Sequence, residues 1–395
     1  MKNLGSAWLK FGLFTVGLGQ SFVFVIVPPL ARELGLSEVQ TSAIFAFSAI
    51  GWALTSAAWG RASDKYGRRN IAVLGLIGYS ASLVAMITPL FLVEKNLLDL
   101  VFLFPLLVFG RMLNGLLGSA TRPAAFAYVA DTSSEDKRTV KFARLESSFL
   151  IGTVAGPLIG GFLILISKET PFYVFSLLGL VASIGIFKNI ENTSSLSKKN
   201  SDKSSKVSWR SHSVWPFLFL ASISSLCLAS LIQTIGFYIF DTFPLIEDLP
   251  VVISMTFALL SISTIVSQYL FTDAYPLSNT KLLIYGTLLL SFSYCMMAFY
   301  PKISVYYLAI IVNGIGGGLL RPAISSSLSL AQSPEHQGSV AGYLGSVYPI
   351  GHILTPIVAM PIYAINPSFL YYFSSILCLL CFIFIIINPV FSKNK

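Results

Sequence analysis

Three arginines stand in stretches otherwise almost free of charge: Arg111, Arg122 and Arg321. Four amides share such surroundings: Gln20, Asn114, Gln233 and Asn313. A guanidinium stays protonated and offers a rigid fork of donors, so it holds a carboxylate or phosphate, or pairs with an internal acid. An amide both donates and accepts, so it orients a ligand or ties two helices together. Three groups in or at the edge of apolar stretches can change protonation: Glu146, Asp241 and His352. Such a set suits holding a ligand or carrying a proton. Covalent chemistry would need clustered His, Cys or acidic groups, and the sequence has no such cluster, so an enzyme is not expected. Cys378-x-x-Cys381 has no histidine or carboxylate near it in sequence. A zinc site takes about four ligands, so packing is the reading adopted for these thiols and no metal is expected. No phosphate-binding GxxxxGK[ST] pattern is present; neither ATP nor any other cofactor is called for.

Hydropathy defines the elements that hold these residues. Only 11% of the 395 residues are charged, less than half of the roughly 25% typical of soluble domains. Runs without Asp, Glu, Lys or Arg cover 11–31, 39–60, 70–93, 147–167, 170–187, 211–240, 249–272, 282–301 and 303–320. The stretch 100–130 is interrupted by Arg111 and Arg122, and 337–392 has room for two more runs, broken around Asn366-Pro367. A spanning helix needs about 20 mostly apolar residues, so the pattern predicts an all-α membrane protein with twelve transmembrane helices. Lipid-facing β-strands would alternate and be about half as long, which excludes a barrel. The first run is too long for a signal-peptide core and lacks a small-residue cleavage site, so it is expected to remain as a helix.

A net charge of +9 would suit nucleic acid, but its distribution points elsewhere. With twelve helices and the N-terminus inside, 19 of the 26 Lys and Arg fall in cytoplasmic segments. Four fall outside (Arg32, Lys95, Lys168, Lys302) and three lie within helices. This positive-inside bias places both termini in the cytoplasm of a multi-pass protein of the cytoplasmic (inner) membrane. Its partner is then the lipid bilayer, with no nucleic acid, and it is expected to act as a monomer.

One segment breaks the pattern. Residues 189–213 are Ser-rich, basic and poor in apolar groups, which reads as a flexible cytoplasmic linker. The expected organisation is an N-terminal six-helix bundle over 1–188, the linker, and a C-terminal six-helix bundle over 214–395. The halves repeat. Residues 114–124 read NGLLGSATRPA and residues 313–323 read NGIGGGLLRPA, an offset of 199 with no gap. The same offset carries Gly152 onto Gly351 and Pro157 onto Pro356. Near the start of each half, Gln20-x-x-x-Phe24-x-Ile26 resembles Gln233-x-x-x-Phe237-x-Ile239, here at an offset of 213. Internal symmetry of this kind marks secondary transporters, whose binding site lies near the midplane.

The loop after the second run reads GRASDKYGRRN. At Gly60, Asp64, Gly67, Arg68 and Arg69 it resembles the G-x-x-x-D-x-x-G-R-R/K loop of the major facilitator superfamily. Arg111-x-x-Asn114-Gly115 is similar to that family's R-x-x-x-G element. GTVAGPLIGG, with Gly152, Gly156, Pro157, Gly160 and Gly161, resembles the G-x-x-x-G-P-x-x-G-G signature of its twelve-helix drug:proton antiporter branch. The resemblance covers nearly the whole chain. It implies the family fold, two pseudo-symmetric six-helix bundles that rock in alternating access. It also implies a loop that latches the halves and a fifth-helix element associated with export.

Each residue also has a physical reading. The two loop glycines permit a tight reversal, and Asp64 can accept from helix N-terminal amides or pair with a cation. Gly152, Gly156 and Gly160 share one helix face and admit a close neighbour; Pro157 removes a backbone bond and can bend its helix. Arg111 lies about ten residues into its run, where an arginine faces a cavity or a partner; snorkelling to the surface is the alternative. Arg122 and Arg321 lie nearer the helix ends, where snorkelling weighs equally. In the family fold the first, fourth, seventh and tenth helices line the cavity, which places Gln20, Asn114, Gln233 and Asn313 there, unless they only staple helices. Trp52, Tyr238, Tyr343 and Tyr348 could add aromatic walls. Drug:proton antiporters often carry an acid in the first helix; here that helix has only Gln20. The proton-coupling candidates are therefore Glu146, with Arg122 or Arg144 as partner, then Asp241 and His352. The expected function is secondary active transport: proton-coupled efflux of small amphipathic compounds, as in drug or multidrug export. The alternative is a dedicated transporter of a siderophore, sugar or other metabolite, in either direction.

Overall fold

Long apolar runs have one self-sufficient form in lipid, the helix, which satisfies its backbone N–H and C=O groups within the segment. The computed structural model describes residues 2–133, 135–192, 208–243, 249–275, 277–300, 302–332 and 337–391. Among the described residues there is no strand, and twelve helices are long and apolar enough to cross a membrane. They are α1 (Gly5–Glu33), α2 (Glu38–Tyr66), α3 (Arg68–Glu94), α4 (Leu100–Thr132), α5 (Arg144–Ile164) and α6 (Thr170–Asn189). There follow α7 (Trp215–Thr242), α8 (Val251–Phe271), α9 (Asn279–Phe299), α10 (Ile303–Leu330), α11 (Ser346–Ile365) and α12 (Pro367–Ile387). Asn366 caps α12 by accepting from the Ser368 amide at 2.8 Å, so the Asn-Pro step that interrupts the last apolar stretch is a helix boundary.

The chain divides into two compact units, Met1–Asn200 and Ser201–Lys395. Of the expected linker, 193–207 lie outside the described residues. In the first unit α1 packs on α5 and α6, α4 packs on both α2 and α3, and α3 packs on α6. In the second, α7 packs on α11, α10 on both α8 and α9, and α9 on α12. The sequence repeat is thus also a repeat of packing partners. At one end of the first unit Lys168 Nζ lies 3.4 Å from Glu33 and 3.5 Å from Glu94, tying the α5–α6 turn to the ends of α1 and α3. Burial alone would lower the Lys168 pKa; the two carboxylates outweigh it and hold the ammonium above its ordinary value.

The two Arg-Pro steps have different backbones. α4 is helical over Leu103–Leu116, tightens to a 3-10 turn at Gly118–Ala120 and resumes at Thr121. Pro123 has no N–H to return to Ser119. Just before the 3-10 turn, side chains of α2 donate to carbonyls of α4: Trp59 Nε1 to Leu116 O at 2.6 Å and Thr55 Oγ1 to Gly115 O at 3.3 Å. α10 runs unbroken through Pro322. There Ser267 of α8 donates to Ile315 O, the carbonyl matching that of Leu116, at a longer 3.4 Å.

Candidate functional site

Arg111 is 4% exposed. Its guanidinium carbon lies 5.6 Å from the ring centroids of both Phe24 on α1 and Phe45 on α2. Those rings stack on each other at 4.6 Å. Among the described residues no carboxylate pairs with Arg111. Its Nε is buried with no hydrogen-bond partner, and so is Oε1 of Gln20, one turn before Phe24. Buried polar atoms nearly always have partners. An unused donor on α4 and an unused acceptor on α1 therefore mark this part of the first unit as polar ground with spare bonding capacity. Asn114, 3% exposed, follows Arg111 by one turn, and its Oδ1 lies 2.6 Å from where a Cβ on Gly118 would stand.

The second polar group of this unit is an ion pair. Arg122 Nη2 on α4 donates to Glu146 Oε2 on α5 at 2.5 Å. The guanidinium carbon also sits over Phe126 at 5.7 Å and Phe149 at 5.5 Å. Of the two partners open to it in the sequence, Arg122 and Arg144, Glu146 is paired with Arg122.

In the second unit the amides are engaged. Gln233 Nε2 donates to His352 Nδ1 at 3.1 Å, joining α7 to α11. Asn313 Nδ2 donates to Ser293 Oγ at 2.8 Å, joining α10 to α9. Both amides are 1% exposed, so here they staple helices. Asp241 accepts from the Tyr363 hydroxyl at 2.8 Å. Arg321 is exposed and lies over the Tyr348 ring at 4.8 Å. Tyr238 corrects an expectation: it is 1% exposed, donates to Met297 O at 2.7 Å and stacks edge-on with Tyr371, so it belongs to the core rather than to a cavity wall. Trp52 and Tyr343 are half-buried.

The loop motif builds a charge network within the first unit. Arg68 pairs with Asp64 and, at 2.9 Å, with Asp131 at the end of α4, and donates to Ser63 Oγ at 2.6 Å. Arg69 lies over Phe187 at 4.6 Å. Gly67 makes the reversal with φ +95°, and a Cβ there would collide with Asn192. Gly60 does not take part in the reversal. It lies inside α2 with open space where a Cβ would go.

Three of the α5 glycines, Gly152, Gly156 and Gly160, face α1. A Cβ on Gly152 would strike Phe14 O, on Gly156 Leu18 O and Ser21 Oγ, and on Gly160 the Phe22 ring. Gly17 of α1 meets the Phe149 carbonyl of α5 in return. Gly161 is half-buried, and the helix continues through Pro157 without a break. Its counterpart Pro356 falls in a π-helical turn, Thr355–Ala359. Phe24 and Phe45 were not foreseen as the flanks of Arg111, though Phe24 stands one helical turn from Gln20. Nothing in the spacing points to Asp131 as a partner of Arg68.

Fold and polar groups together define a twelve-helix membrane protein of two like-packed units with few, isolated intramembrane charges. A family model, the Major Facilitator Superfamily, matches residues 9–276 and 253–394. The chain belongs to the major facilitator superfamily, whose fold and members are those of transporters. It is 27% identical over 359 residues to the tetracycline resistance protein, class B, of Escherichia coli, covering 88% of this chain and 85% of that one. It is 25% identical over 381 residues to multidrug resistance protein 1 of Bacillus subtilis (strain 168), covering 95% and 94%. A bacterial homologue of the human lysosomal transporter Spinster shares the fold with a TM-score of 0.73 at 14% identity, over 99% of this chain and 98% of that one.

Proposed function

We propose that this transporter exports small amphipathic compounds from the cytoplasm in exchange for protons, by rocking-bundle alternating access. The observation that carries the reading is the α5 element from Gly152 to Gly161, whose glycines let α5 lie against the backbone of α1. The resistance named in the relatives, to tetracycline and to multiple drugs, supports the same cargo class. Gln20 and Arg111 supply the unused acceptor and donor that a substrate would meet, with Phe24 and Phe45 as apolar contacts. Glu146, held by Arg122, is the proton carrier of choice. The protein sits in the cytoplasmic membrane with both termini inside, as a monomer whose halves are 1–188 and 214–395.

A second reading, a dedicated transporter of a siderophore, sugar or other metabolite, draws on Arg111, a buried cation that no carboxylate pairs with among the described residues. It predicts a growth change under iron limitation, with siderophore shifted between cell and medium. The export reading predicts lower accumulation of fluorescent amphipathic drugs in cells carrying the protein. That difference is erased by an uncoupler and by Arg111→Ala, with the variant still present in the membrane. No difference across a broad drug panel would remove this reading; undiminished export by Arg111→Ala would remove the role of Arg111.

A further inference from the structure

The offset of 199 that carries Arg122 onto Arg321 also carries Phe126, Glu146 and Phe149 onto Ser325, Gly345 and Tyr348. In the first unit these three residues enclose the guanidinium, the acid by an ion pair and the two phenyl rings by their faces. In the second, the arginine is kept and all three aligned residues change. The acid becomes glycine, and both phenyl groups become side chains that carry a hydroxyl.

The geometry follows the substitutions. Arg321 lies over the Tyr348 ring at 4.8 Å, and the Tyr348 and Ser325 hydroxyls are 3.4 Å apart. Ser225 of α7 donates to the Tyr348 carbonyl at 2.5 Å, which fixes the backbone of that tyrosine. Arg321 is exposed, and among the described residues no carboxylate pairs with it. A guanidinium resting on an aromatic face keeps the edge of its fork free, and that edge matches two oxygens of one anion. Two hydroxyls beside it add donors that a phenyl pair could not.

We propose that Arg321, Tyr348 and Ser325 form an oxyanion site in the second unit, taking a carboxylate or phosphate borne by an amphipathic molecule. The first unit supplies its own carboxylate, Glu146; the second takes one from outside the chain. Two sources share this chemistry, the acid group of a transported compound and the headgroup of a membrane lipid. The site rests on the geometry of the second unit; only the transported-acid source rests also on the export reading.

The test uses the full chain in nanodiscs of zwitterionic phosphatidylcholine. One arm measures binding of a rhodamine dye with a free carboxylate, and of the same dye as its ethyl ester, by fluorescence anisotropy. The other follows the thermal midpoint as anionic phosphatidylglycerol is mixed into the discs. Wild type should favour the acid dye about tenfold, or gain midpoint with the anionic lipid. Arg321→Gln should lose that preference and leave ester binding unchanged. Gly345→Glu, which keeps the arginine and offers it an internal acid, should lose it too, and it serves if Arg321→Gln does not fold. Acid-dye preference assigns a transported compound; a midpoint gain alone assigns a lipid headgroup. If neither dye binds while the midpoint gain depends on Arg321, the transported-acid source fails and the site stands as a lipid site, with the export reading left to its own drug panel. Wild type without preference in either arm, or a preference that survives both substitutions, overturns the site.

Discussion

At the scale of single residues, Glu146 on α5 is the acid held by one cation, Arg122 on α4. A carboxylate that takes up a proton gives up such an ion pair, and that exchange is what the proposed coupling asks of it. Replacing Glu146 with Gln fixes the side chain in a neutral form. The pH dependence of transport should flatten, with export lost or strongly reduced where a proton gradient drives it. Rates measured from pH 5.5 to 8.5 in membrane vesicles decide this, and an unchanged profile would shift the role to Asp241 or His352. The isolated polar residues of this site were readable in the sequence because lipid makes each of them expensive. Apart from Arg122 for Glu146, their partners were not. Gln20 and Gln233 look alike by position, yet Gln20 Oε1 has no partner while Gln233 bonds His352, a residue 119 positions away.

At the scale of elements, the α1–α5 seam is set by where side chains are missing. Gly156 lies so close to Leu18 O that a Cβ has no room, and the obstructing atom is backbone, which cannot turn aside. Gly156→Val should therefore destabilise the first unit by about 1–3 kcal/mol through overpacking. Gly60 is the contrast: it is helical with open space at its Cβ position, so Gly60→Ala should be neutral or stabilising by up to about 1 kcal/mol. Thermal midpoints of the two variants in detergent check the pair; equal midpoints would show that the seam tolerates widening. The glycine spacing showed that some neighbour comes close, but only the fold names α1. The Arg-Pro steps taught the reverse lesson. The shared Arg-Pro step sits on unequal backbones: residues 118–121 read GSAT where 317–320 read GGLL, and Trp59 and Thr55 of α2 donate to carbonyls of a broken α4, whereas Ser267 of α8 donates to a helix that stays whole.

At the scale of the whole molecule, twelve helices and their duplication were legible because hydrocarbon allows few structures and the 199-residue offset is unbroken across the fourth and fifth helices of each half. Each unit repeats the same order of packing partners, α1 on α5 and α7 on α11, α4 and α10 each between two neighbours. What duplication did not preserve is the charge: Arg111 is matched by Ile310, and Glu146 by Gly345. The first unit thus holds the buried cation and the paired acid, and the proposed exchange of proton for substrate draws on that asymmetry. Its most direct measurement is proton movement caused by substrate. Inside-out vesicles energised to an acid interior, with a pH-reporting dye, should lose part of their gradient when an amphipathic drug is added, only if they contain the protein, and not if it carries Glu146→Gln. A gradient that stays intact while the drug is taken up, or collapses equally without the protein, would contradict proton-coupled export.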